Sequence, residues 1–178
     1  MKHTLEGRIS TSLGMFVLMT TIGVLTFPGS TKWVVQGAQA DQDAVAKVVY
    51  HVDFADPRRF SAMLTSIDNM ITTYENELAE YDIRVVFNSY GIRFVTDDKL
   101  KGTPFEEDKA LKARRQELLT RLRSAHEVRN VKLELCEITR TAVGLDKEKL
   151  MPGVDIVPSG VVQVAELQRK GYAYIKVE

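Results

Sequence analysis

One cysteine and three histidines set the chemical range of this chain. Cys136 closes the alternating run Val131-Lys132-Leu133-Glu134-Leu135-Cys136, just before a segment of helical character from Glu137 to Gly144. A thiol at a strand-to-helix junction feels the positive end of the helix dipole, which favours the thiolate, the nucleophilic form. Two readings of Cys136 stay open: a reactive nucleophile, or a small buried apolar residue. Glu137 beside it opposes a thiolate, because a neighbouring negative charge disfavours one. His51 is followed by Asp53 at strand spacing, which puts both on one face and predicts a hydrogen-bonded pair. A general base or metal ligand is the sharper alternative. Asn88-Ser89-Tyr90-Gly91 reads as a turn after a strand. Pro158-Ser159-Gly160 opens a helix whose exposed amides could receive an anion. His126, at the end of a basic helix, reads as an exposed capping residue.

Other chemistries find no support. There is no G-x-G-x-x-G after the first strand, no G-x-x-x-x-G-K-[ST] and no G-x-S-x-G. One cysteine excludes an internal disulfide framework and an all-cysteine metal site within one chain. No second ligand stands at metal spacing from His51, so neither a metal nor another cofactor is expected. Equal numbers of basic and acidic side chains, 24 of each, give no reason to expect nucleic-acid binding.

The elements that must position these residues follow from periodicity. Lys47 to Asp53 is a short β-branched run and reads as a buried strand. Asp56-Pro57 supplies a cap and a first helical position. Phe60, Met63, Leu64, Ile67, Met70, Ile71, Tyr74 and Leu78 then recur at spacings of three and four, one apolar stripe of a long helix. Asp82 to Phe87 is a second strand. Ile92 to Val95 is open between strand and helix, and Thr96 to Pro104 is a polar loop. Glu106, Glu107 and Asp108 suit a helix start, with Leu111, Leu118, Leu119, Leu122 and Ala125 inward. Its interleaved Lys109, Lys112, Arg114, Arg115, Arg121 and Arg123 read as a solvated face. The third strand ends at Cys136. Val154 to Val157 is a fourth. A helix capped by Ser159 follows, with Val161, Val164, Ala165 and Leu167 inward and Gly171 as its stop, and Tyr172 to Val177 is the last strand. Strands alternating with helices predict an α/β fold: a small, doubly wound, mainly parallel five-stranded sheet with helices on both faces. In such sheets reactive groups gather at the carboxyl ends of the strands. That rule selects His51, Asp53, Asn88, Gly91 and Cys136.

The 178 residues and 44% apolar composition describe one globular domain, but the first forty stand apart. Leu13 to Phe27 carries no charge, a weakly basic segment precedes it, and Ala38-Gln39-Ala40 offers a small-residue cleavage site. Residues 1–40 thus read as a signal peptide, with an uncleaved anchor as the alternative. Pro28-Gly29 ends the run short of the roughly 20 residues a spanning helix needs. After cleavage, residues 41–178 would form a domain with 21 basic and 23 acidic side chains and no stable membrane insertion. The expected location is the periplasm or another exported compartment, where an unpaired thiol is buried, paired between chains or used for chemistry.

Several segments together resemble the DsrE/DsrF-like family of small sulfur-relay proteins, especially its stand-alone members. They are Val48-Val49-Tyr50-His51-Val52, Ile67-Asp68-Asn69-Met70, Val85-Val86-Phe87 with Gly91-Ile92-Arg93-Phe94, and Leu133-Glu134-Leu135-Cys136. The closing run is the most specific: Val157-Pro158-Ser159-Gly160-Val161-Val162, Ala165-Glu166-Leu167-Gln168 and Gly171-Tyr172-Ala173-Tyr174-Ile175-Lys176. Order and separation hold from about Lys47 to Val177. The resemblance implies an α/β sandwich that forms homo- or hetero-oligomers, often trimers or hexamers, and a homo-oligomer is expected here. It also implies a persulfide on the cysteine at the end of the third strand, here Cys136, exchanged with sulfur-donor and acceptor proteins. After the cysteine, Glu137-Ile138-Thr139 keeps only the threonine of the pattern common among the stand-alone relatives. A non-catalytic oligomeric module that binds a ligand or partner is the alternative function.

Overall fold

The computed structural model describes residues 45–178; the expected leader and its cleavage site lie outside them. The elements in order are β1 (Ala46–Val52), α1 (Pro57–Asn76), β2 (Tyr81–Phe87), a 3-10 turn (Ser89–Phe94), α2 (Lys109–Glu127), β3 (Lys132–Cys136), α3 (Glu137–Ala142), β4 (Val154–Val157), α4 (Gly160–Arg169) and β5 (Ala173–Ile175). All four strand pairings are parallel, in the order β4-β3-β2-β1-β5. The doubly wound α/β sheet expected from the alternation of elements is the one observed. The chain steps outward from β1 to β4, then crosses back over α4 to place β5 on the other side of β1.

The two faces of the sheet differ in what covers them. Val48, Tyr50, Val52, Ile83, Val85, Phe87, Leu133 and Leu135 form one cluster with the apolar stripes of α1 and α2. There Phe60 stacks on Phe94 with ring centroids 4.1 Å apart. Each such buried side chain contributes roughly 1.5–3 kcal/mol. The alternate residues point the other way. Val49 and Val86 meet Val164, Leu167 and Tyr172 in a much smaller cluster under α4. That face also holds a polar network. Arg84 bridges Glu134 (2.7 Å) and Asp82 (3.3 Å), and Gln163 of α4 donates to Glu134 (2.8 Å).

The helix starts are those the sequence signals. Asp56 accepts from the Arg58 N–H with Pro57 in the first turn, Asp108 accepts from Leu111 (2.8 Å), and Ser159 accepts from Val162 (3.4 Å). Four expectations outside the site are corrected. Leu78 does not extend the α1 stripe: the helix ends at Asn76, and Leu78, at φ +55° and 93% exposed, turns the chain toward β2. Ile92 to Val95 is neither strand nor α-helix, since the 3-10 turn takes it up to Phe94. His126 is half-buried, its Nδ1 2.9 Å from the Val131 carbonyl, because the chain turns back at once into β3.

The fourth correction concerns Arg115, which is 7% exposed and not part of a solvated face. It occupies the α2 stripe between Leu111 and Leu118, so helical geometry turns it inward. Its Nε donates to buried Glu107 (2.6 Å) and its Nη1 to the carbonyls of Arg93 (3.1 Å) and Thr96 (2.5 Å). The guanidinium thus ties the loop before α2 to the helix. Removing one partner of a buried ion pair leaves the other uncompensated. Arg115→Ala is therefore expected to lower stability by about 3 kcal/mol in urea unfolding. Arg169→Ala, at a surface pair with Glu166, should leave the midpoint where it is.

Candidate functional site

Strand alternation places the chemistry-bearing side chains on the thinly covered face. Val49 lies against α4, so His51, two residues on, shares that side; Val86 puts Asn88 there, and Glu134 puts Cys136 there. The residues form a diagonal row at the carboxyl end of the sheet: Tyr174 on β5, His51 on β1, Asn88 just after β2 and Cys136 ending β3. Cys136 pairs in register with Val157, the last residue of β4, immediately before the turn into α4.

Cys136 is 5% exposed and occupies the N-cap position of α3. In the other capped helices an oxygen holds that place: Asp56, Asp108 or Ser159. Here a sulfur does, and no donor closes to a full cap hydrogen bond. Burial pushes the thiol up. Against it stand the N–H of Gly160, the N–H and hydroxyl of Thr139 and the N–H of Ile138, and the balance lowers the pKa below that of an ordinary cysteine. The Thr139 hydroxyl is itself fixed, since it accepts from the Ser89 N–H at 2.9 Å.

Glu137 does not oppose this. Arg140 grips its carboxylate with two contacts of 2.7 Å, Nε to Oε2 and Nη2 to Oε1. The charge next to the sulfur is thereby answered by a cation one helical turn away.

Gly160 brings the α4 start to the sulfur. A β-carbon on it would stand 3.1 Å from the Cys136 Cβ and 3.2 Å from the Asn88 Cβ, tighter than ordinary packing. Gly160, Val164 and Leu167 are the buried side of α4. Val161 and Ala165, both expected inward, are exposed, Val161 by 64%, because Gly160 takes the inward position one residue earlier. Gly91 plays a packing role: a β-carbon there would lie 2.0 Å from the Val52 carbonyl oxygen. Ser159 is the α4 cap.

His51 bonds a different residue from the one expected. Its Nε2 is 2.8 Å from Asn88 Oδ1, while Asp53 is exposed and makes no hydrogen bond to it. β1 stops at Val52, so Asp53 is not held on the pleat beside His51. Large apolar side chains are exposed on the elements that carry the row: Ile138 on α3, Val161 and Val162 on α4, Tyr174 on β5 and, after β2, Tyr90, whose ring meets Phe105. Thr139 and Arg140 carry parts of the site that sequence reasoning did not assign. The available signal was position, since residues two and three after an N-cap turn their N–H groups back to it. Among the described residues, no group of three or more His, Cys, Asp or Glu side chains is placed to hold a metal ion, and no helix is long and apolar enough to cross a membrane.

The sequence model of the DsrE/DsrF-like family matches residues 47–177, the span over which the resemblance runs. The chain belongs to the DsrE/DsrF-like family. Among solved structures it is similar to the protein of unknown function MTH1491 from Methanobacterium thermoautotrophicum, with 25% identity and a TM-score of 0.54 over 73% of this chain and 97% of that one. It is also similar to the ychN protein of E. coli, with 21% identity and a TM-score of 0.44 over the same shares. No curated protein matches it. This DsrE-like chain thus has a sulfur-relay-type fold, with its one cysteine at the end of the third strand.

The donors make a measurable claim. Thr139→Val removes a hydroxyl that faces a developing anion, so the pH midpoint of Cys136 alkylation by iodoacetamide should rise by about one unit. Thr139→Ser should stay near wild type.

Proposed function

We propose that this chain is an exported sulfur carrier that holds a sulfane sulfur as a persulfide on Cys136. The observation that carries the reading is the set of donors that favours a thiolate at a buried sulfur. A thiolate is what a sulfur carrier needs, because it attacks. The Cys136 thiolate uses its electron pair to bond the outer sulfur of a donor persulfide, R–S–SH. The donor S–S bond breaks, and the donor leaves as its thiolate, R–S⁻. Cys136 becomes Cys136–S–SH. Passing the sulfur on is the same step in reverse, with an acceptor thiolate attacking and the Cys136 thiolate leaving. Stabilising that thiolate helps both directions. His51, Asn88 and the turn to Gly91 line the approach, and Ser159 and Gly160 set the α4 start beside the sulfur.

The composition of residues 1–40, read as a leader, supports a place outside the cytoplasm. The exposed apolar set of Ile138, Val161, Val162, Tyr90 and Tyr174 suits contact with further copies of this chain, in a trimer or hexamer, and with donor and acceptor proteins. A second reading, a non-catalytic oligomeric binding module, draws on the same burial of Cys136.

Incubation of residues 41–178 with inorganic polysulfide, followed by intact-mass measurement, separates the two. The carrier reading expects one added sulfur on wild type and none on Cys136→Ser. Equal addition to both, or a thiol that reacts only after denaturation, favours the binding module. Light scattering at micromolar concentration should give a multiple of the chain mass; a monomer mass would count against the oligomer.

A further inference from the structure

A persulfide moves charge away from the groups that stabilise the thiolate. The donors from Gly160, Thr139 and Ile138 face the cysteine sulfur. In Cys136–S–S⁻ that atom is the inner sulfur, and the negative charge sits one atom further out. A second donor is needed there. The arginines on the neighbouring strand and helix are committed elsewhere. Arg84 is committed to Glu134 and Asp82, and Arg140 to Glu137. Asp53 and, on β4, Asp155 are exposed acids.

Asn88 has the right chemistry and a fixed place. It stands across Gly160 from Cys136: the same missing β-carbon would touch both side chains. Its backbone is pinned at both ends, the N–H donating to the Val52 carbonyl (3.1 Å) and the carbonyl accepting from the Gly91 N–H (2.8 Å). Its side-chain oxygen accepts from His51 Nε2 at 2.8 Å. The edge of the Tyr174 ring meets the His51 ring, with centroids 6.5 Å apart and planes at 60°. With the oxygen committed, the amide nitrogen of half-buried Asn88 keeps two N–H donors that face solvent and take no hydrogen-bond partner among the described residues.

We propose that the Asn88 carboxamide donates to the outer sulfur of a Cys136 persulfide and stabilises its anion, with His51 as the positioning residue that holds the amide by its oxygen. The inference rests on the carrier reading above. The step is a proton loss, Cys136–S–SH giving Cys136–S–S⁻ and a proton to water; no bond between heavy atoms changes and nothing is oxidised or reduced. His51 acts only through Asn88.

The test loads wild type, Asn88→Ala, His51→Ala and His51→Gln with inorganic polysulfide. Intact mass counts the added sulfur. The rate of alkylation of the loaded protein by iodoacetamide is then followed against pH. Midpoints are compared on protein that carries one added sulfur. The persulfide midpoint should rise by about one pH unit in Asn88→Ala, so that alkylation below the midpoint is about tenfold slower. His51→Ala should shift the same way. His51→Gln, whose amide can still donate to the Asn88 oxygen, should return toward wild type. The midpoint of the unloaded thiol should not move in Asn88→Ala, which separates this role from a general effect on the fold. Variants that load but share the wild-type persulfide midpoint overturn the assignment and leave the carrier reading standing. If Asn88→Ala does not fold, equal midpoints in wild type, His51→Ala and His51→Gln overturn it. Failure of wild type to gain a sulfur removes both.

Discussion

The junction between β3 and α3 puts a sulfur where a helix cap is ordinarily an oxygen. A helix start leaves backbone N–H groups without partners, and some side-chain acceptor must answer them. At Asp56, Asp108 and Ser159 an oxygen does so in the usual way. At Cys136 the acceptor is a thiol, which is poor when neutral and good when ionised. The unmet donors of Ile138 and Thr139 therefore favour the anion, and the Gly160 N–H adds to them from a second helix. Much of the local architecture serves this one point. Gly160 lets α4 come within packing distance, Ser89 fixes the Thr139 hydroxyl, and Arg140 holds the adjacent carboxylate.

The asymmetry of the sheet leaves room for that arrangement. α1 and α2 together give one face the bulk of the apolar core. α4 is ten residues long and buries a cluster of five on the other. The thin face is where polar groups persist: Arg84 with Glu134 and Asp82 in the middle, then His51, Asn88 and Cys136 at the carboxyl end. Stability and chemistry thus occupy opposite sides of the same strands, and the period of two along each strand assigns every residue to one or the other.

Local signals in the sequence were sufficient for the fold and for part of the site. The caps at Asp56, Asp108 and Ser159, the stripe from Phe60 to Ile71 and the β-branched strands each depend on neighbours within a few positions. So does the place of Cys136 at a strand end. What was not legible depends on distant partners. His51 could be paired with Asp53 by spacing, but its bond goes to Asn88, 37 residues away, because β1 ends one residue short of Asp53. Arg115 lies in the α2 stripe by position while its residue type points outward; the carbonyls it meets come from the 3-10 turn and the segment just after it, about twenty residues away. The inward place given to Val161 belongs to Gly160, since a glycine carries no apolar signal. The pairing of β5 with β1 is equally a tertiary fact, set by the crossover of α4.

The thiolate at Cys136 is the claim from which the chemistry follows, and it can be read directly. A pH titration of the ultraviolet thiolate absorbance of the native protein, with Cys136→Ser as the blank, reports the ionisation of this single sulfur. The expected native midpoint lies below that of an ordinary cysteine and moves up to the ordinary value when the chain is unfolded in urea. A native midpoint at or above the unfolded one would contradict that expectation.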